Sequence, residues 1–264
     1  MSVKSLLLKG ITALVGLVAV LFVAATPQHG VHVEKESWSF QGFFGKFDRP
    51  QLARGFQVYK EVCSACHSMD LLSYRNLQEI GFSEDAVKEI AASVTVMDGP
   101  NDDGDMFERP GKPSDPFKAP FANEQAARAS NNGALPPDLS LIARSRAGAG
   151  FGAHEGADYI HGILTGYKEP PAGFHLNDGM NYNEGFVGHQ IAMPNPLSEG
   201  AVSYADGTEA SVEQMSQDIA VFLTWTGEPN YESRIRTGLK AMLFLVAFTL
   251  IAYAAKRKIW ASIH

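Results

Sequence analysis

The chain has 264 residues, of which 45% are hydrophobic and 10% aromatic, enough for one compact domain with a substantial core. Its formal net charge is −7, but residues 1–25 and 234–264 contain no acidic side chain, so the 14 basic and 29 acidic residues of 26–233 give that segment a charge of −15. Such an acidic surface repels nucleic acid and anionic lipid, and it attracts basic partners.

The first predicted element is an export signal at residues 1–25. Lys4 and Lys9 precede an apolar run from Ile11 to Ala25, which ends in small residues. A basic start, a short apolar stretch and a small-residue end are typical of a cleaved secretory signal peptide. The run is shorter than the about 20 residues needed to cross a membrane, although an uncleaved N-terminal anchor is the alternative.

The first helix of the soluble segment is predicted to begin at Asp48, as its cap, with Pro50 in its first turn. Its apolar residues recur at spacings of four and three, on one face: Leu52, Phe56 and Tyr59. The helix runs into Cys63-Ser64-Ala65-Cys66-His67, which has the spacing of a c-type haem attachment site. Each thiol can add to a vinyl group of haem, and the adjacent imidazole then ligates the iron.

Other uses of Cys63 and Cys66 fit the sequence less well. A thioredoxin-like redox pair normally opens a helix after a strand, whereas this pair follows the end of a helix. A zinc site needs two further ligands, and the sequence contains no other cysteine. A disulfide between the two would close too short a loop to stabilise the fold much. One covalently bound haem c is therefore the predicted cofactor.

Beyond the motif, helices are predicted to alternate with long loops. A second helix is predicted over Ser83–Ala92, with acidic residues in its first turn. Three stretches rich in glycine, proline or aspartate, or without periodicity, are predicted to be irregular: 98–120, 148–156 and 174–196. Asp206-Gly207 is predicted to turn a small hairpin.

The last soluble helix has the clearest signals. Ser211 and Gln214 match a capping box, an apolar stripe follows, and Gly227 and Pro229 mark the end. Few strands are predicted anywhere, so segment 26–233 is expected to be a mainly α domain with long loops and a small core, part of which a large flat cofactor would fill.

The second iron ligand stays open on the residues alone. Met193 is favoured, because it lies in a proline-stiffened loop before the last soluble helix, where small soluble c-type cytochromes place a methionine ligand. Met180 is the next alternative, followed by four histidines: His154, His161, His175 and His189. Met69 is too close to His67, and the remaining central methionines lie in an acidic loop or on the apolar stripe: Met97, Met106 and Met215. Methionine with histidine raises the reduction potential, which suits an electron carrier.

The final predicted element is a transmembrane helix over residues 234–256, followed by a short basic cytoplasmic tail, 257–264. From Gly238 to Ala255 the only charged residue is Lys240, and a basic cluster and Trp260 follow directly. This is the pattern of a single span with an interfacial anchor, and a buried core helix is the alternative. With the export signal, it predicts a single-pass protein of a bacterial inner membrane with residues 26–233 in the periplasm.

Over essentially the whole chain after residue 25, the sequence resembles cytochrome c1, the haem subunit of the cytochrome bc1 complex, in its bacterial form. The shared strings are QVYKEVCSACH at 57–67, ASNNGALPPDLS at 129–140, LTGY at 164–167 with EPP at 169–171, and FLTW at 222–225 with EP at 228–229. The methionine loop and the single C-terminal span also match. The resemblance implies a class I cytochrome c-like haem domain with a C-terminal membrane anchor.

The resemblance also implies roles for individual residues. Met193 becomes the axial ligand opposite His67. Asn131, Pro136 and Pro137 are expected near the macrocycle, and Arg146 is expected to pair with a haem propionate, since a guanidinium binds a carboxylate with two hydrogen bonds. Tyr159 is expected in the same pocket. The chain departs from mitochondrial members at 147–156, which is longer and richer in glycine, and it lacks the extra cysteine pair of some bacterial members.

A cytochrome c1 is not an enzyme on its own but the electron-transfer subunit of quinol–cytochrome c reductase in a respiratory or photosynthetic chain. The resemblance therefore implies that the protein accepts an electron from the Rieske iron–sulfur protein and passes it to a basic cytochrome c, beside cytochrome b in the membrane. Nucleic acid is not an expected partner. The alternatives are a membrane-anchored c-type electron shuttle or oxidase subunit, a haem-based ligand sensor and, more remotely, a thiol–disulfide oxidoreductase.

Overall fold

A computed structural model describes residues 33–42, 44–147 and 154–261, so the predicted signal peptide, 1–25, lies outside the described residues. Within these ranges the helices are α1 (Arg49–Glu61), α2 (Glu84–Ala92), α3 (Glu124–Ser130), α4 (Ile142–Arg146), α5 (His154–Thr165), α6 (Val212–Gly227) and α7 (Tyr231–Trp260). Two antiparallel pairs of short strands accompany them: β1 (Thr95–Asp98) with β2 (Phe107–Pro110), and β3 (Asn181–Tyr182) with β4 (Gln190–Ile191). The predicted mainly α fold is confirmed.

The core forms where α1 packs against α6. A Cβ on Gly55 would lie 2.2 Å from the carbonyl oxygen of Asp218, so only glycine permits this approach. Next to it, the buried rings of Phe56 and Phe222 lie 5.9 Å apart between centroids. Arg54 donates to the fully buried Asp218 carboxylate from Nε at 2.9 Å and from Nη2 at 3.1 Å. Together these contacts fix the end of α1, and the Cys-x-x-Cys-His motif after it, against α6.

The predicted helix starts are largely correct. Ser83 and Ser211 cap α2 and α6, because each hydroxyl accepts a hydrogen bond from the backbone N–H three residues later, at 3.2 and 3.1 Å. The capping box predicted at Ser211 is only half formed, since the Gln214 side chain donates to Asp218 instead. Asp48 occupies the predicted N-cap position of α1, with Pro50 in the first turn, but its side chain makes no capping hydrogen bond.

All three stretches predicted to be irregular contain regular structure, and in 174–196 it is the short β3–β4 pair. β1 and β2 form a ribbon that begins just before the stretch 98–120 and ends within it. Arg109 of β2 stabilises this ribbon by pairing with Asp98 and Asp115. Its side chains are mostly exposed, so the apolar alternation that marks a half-buried strand is missing. α5 begins inside the predicted loop 148–156, of which 148–153 lie outside the described residues.

The hairpin predicted at Asp206-Gly207 is also wrong. The chain does turn there, with the Gly207 amide donating to the Tyr204 carbonyl at 3.2 Å and Gly207 at a φ of +78°. Within residues 154–261, however, no strand flanks this turn. A dipeptide that favours a turn does not by itself pair the segments on either side.

α7 follows α6 after three residues and leaves the domain. At its first turn, Glu232 accepts hydrogen bonds from the Phe47 amide at 2.8 Å and from Arg49 Nη2 at 3.0 Å, which fastens the helix to the start of α1. Ile235 still packs against the hydrophobic core, but from Lys240 onward the side chains are exposed, and none of the most apolar 18-residue window is buried. With 30 residues, α7 is long and apolar enough to span a membrane.

Candidate haem site

The Cys-x-x-Cys-His motif occupies a tight turn at the end of α1. The amides of Cys66 and His67 both donate to the Cys63 carbonyl, at 3.1 and 2.9 Å, and this places the two free thiols and the imidazole on one short turn. Cys63 packs against the core, whereas Cys66 is exposed. Burial raises the pKa of the Cys63 thiol to about 12, the opposite of the lowered pKa that thiol–disulfide chemistry requires.

The ring of His67 is held with one nitrogen available. Its Nδ1 lies 2.8 Å from the carbonyl oxygen of Pro137, which can only accept a hydrogen bond, so Nδ1 carries the proton. Nε2 therefore has the free lone pair that binds iron, and such an outer contact is the usual way to orient a ligating histidine. Burial lowers the pKa of His67, which favours the neutral ring that a metal requires.

Asp138 fastens the segment of Pro137 to the segment that follows His67. Its carboxylate accepts from Ser68 Oγ and from the Asp70 amide, both at 2.8 Å, and from the Ser140 amide at 2.8 Å. Burial alone would raise the pKa of Asp138, but these hydrogen bonds outweigh it and lower that pKa. Sequence alone does not single out Asp138, although an aspartate two residues before a serine is a common turn signal.

Asn131 and Pro136 lie on the same segment as Pro137. Asn131 ends α3, where its side chain donates to the Ala127 carbonyl at 2.7 Å, and Asn132 and Gly133 then reverse the chain in left-handed conformations. Pro136 and Asn131 are half-buried and Pro137 is exposed. The structure thus joins Pro137 directly to His67 and places Asn131 and Pro136 just before it.

Arg146 and Tyr159 form a second pair of predicted pocket residues. Arg146 ends α4, and its guanidinium carbon lies 5.7 Å from the centroid of the Tyr159 ring on α5. Both side chains are half-buried. Among the described residues no carboxylate lies within ion-pair distance of Arg146, so its charge is available for a carboxylate that the protein itself does not supply.

Met193 lies in a loop that distant residues support. Its backbone carbonyl accepts from the Tyr167 hydroxyl at 3.0 Å and from Asn181 Nδ2 at 3.3 Å. Burial raises the pKa of Tyr167, so its hydroxyl stays a neutral donor. The Met193 side chain is half-buried against the hydrophobic core. Tyr167 and Asn181 were not predicted as supports, because hydrogen bonds over 26 and 12 residues leave no local pattern in the sequence.

The rival methionines have other environments. Met69 and Met215 are fully buried in the hydrophobic core, while Met97 and Met106 are 59% and 56% exposed on or beside the β1–β2 ribbon. Two thiols, one imidazole lone pair and one thioether on a supported loop are the donor set of a c-type haem, so the residues present fit that group. In the described ranges no hydrogen bond joins the Met193 loop to the His67 segment, and their pairing as ligands stays a prediction.

Comparison with known proteins gives one consistent match. A profile of the Cytochrome C1 family matches residues 38–263. Over 90% of its length the chain is 44% identical to cytochrome c1 of Rhodospirillum rubrum, covering 90% of that protein, and over 95% of its length it is 43% identical to a mitochondrial cytochrome c1 heme protein of potato (Solanum tuberosum), covering 93%. It is 48% identical to cytochrome b/c1 of Bradyrhizobium diazoefficiens over 86% of its length, but covers only 35% of that longer protein.

Proposed function

This chain belongs to the cytochrome c1 family, the haem subunits of the cytochrome bc1 complex, and we propose that it takes single electrons from the Rieske iron–sulfur protein and passes them to a cytochrome c. Its cofactor is covalently bound haem c. The observation that carries the proposal is the turn after α1, where two thiols precede His67 and the Pro137 carbonyl lies 2.8 Å from its Nδ1.

Four residues would hold the cofactor. Cys63 and Cys66 would bind it through thioether bonds, and His67 Nε2 and the Met193 sulfur would ligate its iron. When bound, haem c supplies an iron that cycles between Fe(III) and Fe(II), so the protein needs no acid, base or nucleophile. The thioether of Met193 would keep the reduction potential high enough to accept an electron from an iron–sulfur protein.

The other pocket residues would set the environment of that site. The guanidinium of Arg146, which lies over the Tyr159 ring, would bind a propionate, and Asn131, Pro136 and Pro137 would line the cofactor. Prolines suit this role because a fixed φ and a missing N–H leave a stiff, apolar wall.

The acidic surface supports a basic electron acceptor. Residues 26–233 carry a formal charge of −15, and several aspartates are exposed at the end of the β1–β2 ribbon: Asp102, Asp103 and Asp105. Asp98 of the same cluster is engaged by Arg109. A surface of one sign raises the rate of encounter with a partner of the other sign more than it raises affinity, which is what a transient electron exchange requires.

We further propose the membrane arrangement predicted from the sequence. Residues 1–25 would be a signal peptide, 26–233 the periplasmic haem domain, 234–256 the transmembrane span and 257–264 a cytoplasmic tail of a bacterial inner-membrane protein. At about 1.5 Å per residue, the 30-residue α7 is long enough to cross the about 30 Å hydrocarbon core with a turn to spare at each end.

Purification of the full chain from its own membranes tests the proposal. Cytochrome b and the Rieske protein should copurify with it, and quinol should reduce its haem only when both are present. Cytochrome c added afterwards should reoxidise it. A haem protein that purifies without cytochrome b, and that other donors reduce at full rate, would instead be a membrane-anchored shuttle or oxidase subunit.

A further inference from the structure

A group of potential metal ligands lies where the N-terminal segment 33–40 packs on α5 and α6. His161 of α5 points its Nε2 between two carboxylates, 3.4 Å from Glu213 Oε1 of α6 and 3.7 Å from Glu36 Oε1 of the segment. All three ligand atoms lie within 4.8 Å of one another. None of these residues belongs to the predicted haem site, so the cluster calls for a separate explanation.

The hydrogen bonds of Ser216 bear on the tautomer of His161. The Ser216 hydroxyl lies 2.8 Å from the Glu213 carbonyl and 2.9 Å from His161 Nδ1, and with its only proton on the carbonyl its oxygen accepts from Nδ1. In the neutral ring, Nε2 is then the nitrogen with the lone pair. That lone pair faces two carboxylates, which offer it no proton. The His161 side chain is only 8% exposed, so a buried acceptor is aimed into a site that lacks a donor.

The charges around the cluster call for a cation. In the part of the chain that the structure describes, His161 is the only ion-pair partner of Glu36 and of Glu213. The nearest oxygen of Glu213 also accepts from Gln217 Nε2 at 2.8 Å, which orients it but adds no charge. Two carboxylates that converge without a positive partner repel each other, and a divalent cation between them would neutralise both.

We propose that Glu36, His161 and Glu213 bind a zinc ion. Zinc takes imidazole and carboxylate ligands at about 2.0–2.2 Å in tetrahedral geometry, which puts neighbouring ligand atoms about 3.4 Å apart. The His161 Nε2 to carboxylate distances of 3.4 and 3.7 Å match that separation. The imidazole selects zinc over calcium or magnesium, which prefer oxygen ligands.

The surroundings have the further features of a metal site. Ser216 supplies the outer hydrogen bond that fixes the ring of a ligating histidine. A cavity of about 390 Å³, bounded in part by His161, Thr165 and Glu184, provides an approach and room for water in the fourth position.

Zinc bound here would clip the N-terminal segment onto the domain. The segment already docks through Asp158 of α5, whose carboxylate accepts from the Glu36 amide at 3.0 Å and from Trp38 Nε1 at 2.7 Å. Gly162 lets Val33 approach so closely that a Cβ there would lie 2.6 Å from its methyl group. These contacts hold Glu36 in place opposite α6. Two of the three proposed ligands therefore lie on helices, and the third lies on the docked segment 33–40.

Calorimetric titration of zinc chloride into the full-length haem protein in detergent tests the proposal. One zinc per chain should bind, and the zinc absorption edge should report nitrogen and oxygen ligands without sulfur. His161→Gln should abolish this binding, Glu213→Gln should weaken it at least tenfold, and Ser216→Ala should weaken it about 10–100-fold. His175→Gln, which removes an exposed histidine elsewhere, should bind as the parent does.

The outcomes distinguish a zinc site from an ion pair between a protonated His161 and the two carboxylates. If the parent binds no zinc, or if the Gln variants of residues 161 and 213 bind it like the parent, the assignment is wrong. Glu213 is 59% exposed, so Glu213→Gln decides the question even if His161→Gln fails to fold. The haem spectrum without zinc should be unchanged in every variant, so this test is independent of the electron-transfer role.

Discussion

The two sides of the haem site are built differently. On the histidine side, His67 lies four residues after Cys63, and one carboxylate, Asp138, receives three hydrogen bonds of 2.8 Å that fasten the neighbouring segment. On the methionine side, the Met193 side chain packs partly against the core, and its backbone carbonyl accepts hydrogen bonds from Tyr167 at 3.0 Å and Asn181 at 3.3 Å. The histidine side is thus fixed by a sequence motif and by hydrogen bonds to a charged carboxylate. The methionine side depends on two neutral hydrogen bonds from distant residues.

This difference indicates which side of the site opens first. Hydrogen bonds to a charged group contribute about 1.5–3 kcal/mol each, and neutral ones about 1 kcal/mol. The methionine loop should therefore open while the histidine segment stays in place. In an electron carrier this order keeps the cofactor attached whenever the weaker ligand is displaced.

The largest effect is expected at the thiols. Cys66→Ala should abolish normal covalent attachment, because the remaining thiol can form only one of the two thioether bonds. Haem staining of a denaturing gel measures how much haem is attached, and the pyridine haemochrome spectrum shows whether one or two thioether bonds hold it, with Ser64→Ala on the same turn as the control. A Cys66→Ala variant with the haem content and the haemochrome spectrum of the parent would contradict the assignment of Cys66.

The next effect is expected at Met193. Met193→Leu should leave the haem attached but lower its midpoint potential by roughly 0.1 V or more, since the thioether favours ferrous iron and axial ligands span about 0.8 V. Redox titration provides the value. Met180→Leu is the matched control, because that methionine is also half-buried but is not the predicted ligand. An unchanged potential in Met193→Leu would exclude it as a ligand.

Asp138→Ala tests the histidine side. It removes the acceptor of three hydrogen bonds and should destabilise the domain by about 2–3 kcal/mol. For a domain of this size that is a fall of about 5–10 °C in thermal midpoint. Asp70→Asn changes a neighbouring exposed carboxylate and should shift the midpoint little. Equal falls in thermal midpoint for the two substitutions would show that Asp138 does not stabilise the histidine side in particular.

Tyr167→Phe tests the methionine side and should cost about 1 kcal/mol, with Asn181 still donating to the Met193 carbonyl. The thermal midpoint should fall less than in Asp138→Ala, but the loop should open more often, so carbon monoxide should bind the reduced protein faster. Tyr182→Phe, on the adjacent strand β3, is the control. Carbon monoxide binding that is faster in Asp138→Ala than in Tyr167→Phe would reverse the proposed order of opening.

The sequence predicts the histidine side better than the methionine side, because the first is built from local patterns and the second from contacts between distant residues. The attachment motif and the caps at Ser83 and Ser211 are local, so spacing alone locates them. α5 escaped prediction because its buried face includes Asp158 and His161, whose partners come from distant segments rather than from an apolar stripe. Tyr167, likewise, acquires its role only when folding brings it to Met193.

The central claim is that His67 and Met193 hold the iron of one covalently attached haem. The near-infrared spectrum of the oxidised full-length protein tests it most directly, because a methionine sulfur bound to ferric haem produces a weak charge-transfer band there. The account predicts that band in the parent and its loss in Met193→Leu with the haem still attached. A parent without the band, or a variant that keeps it, would contradict the claim.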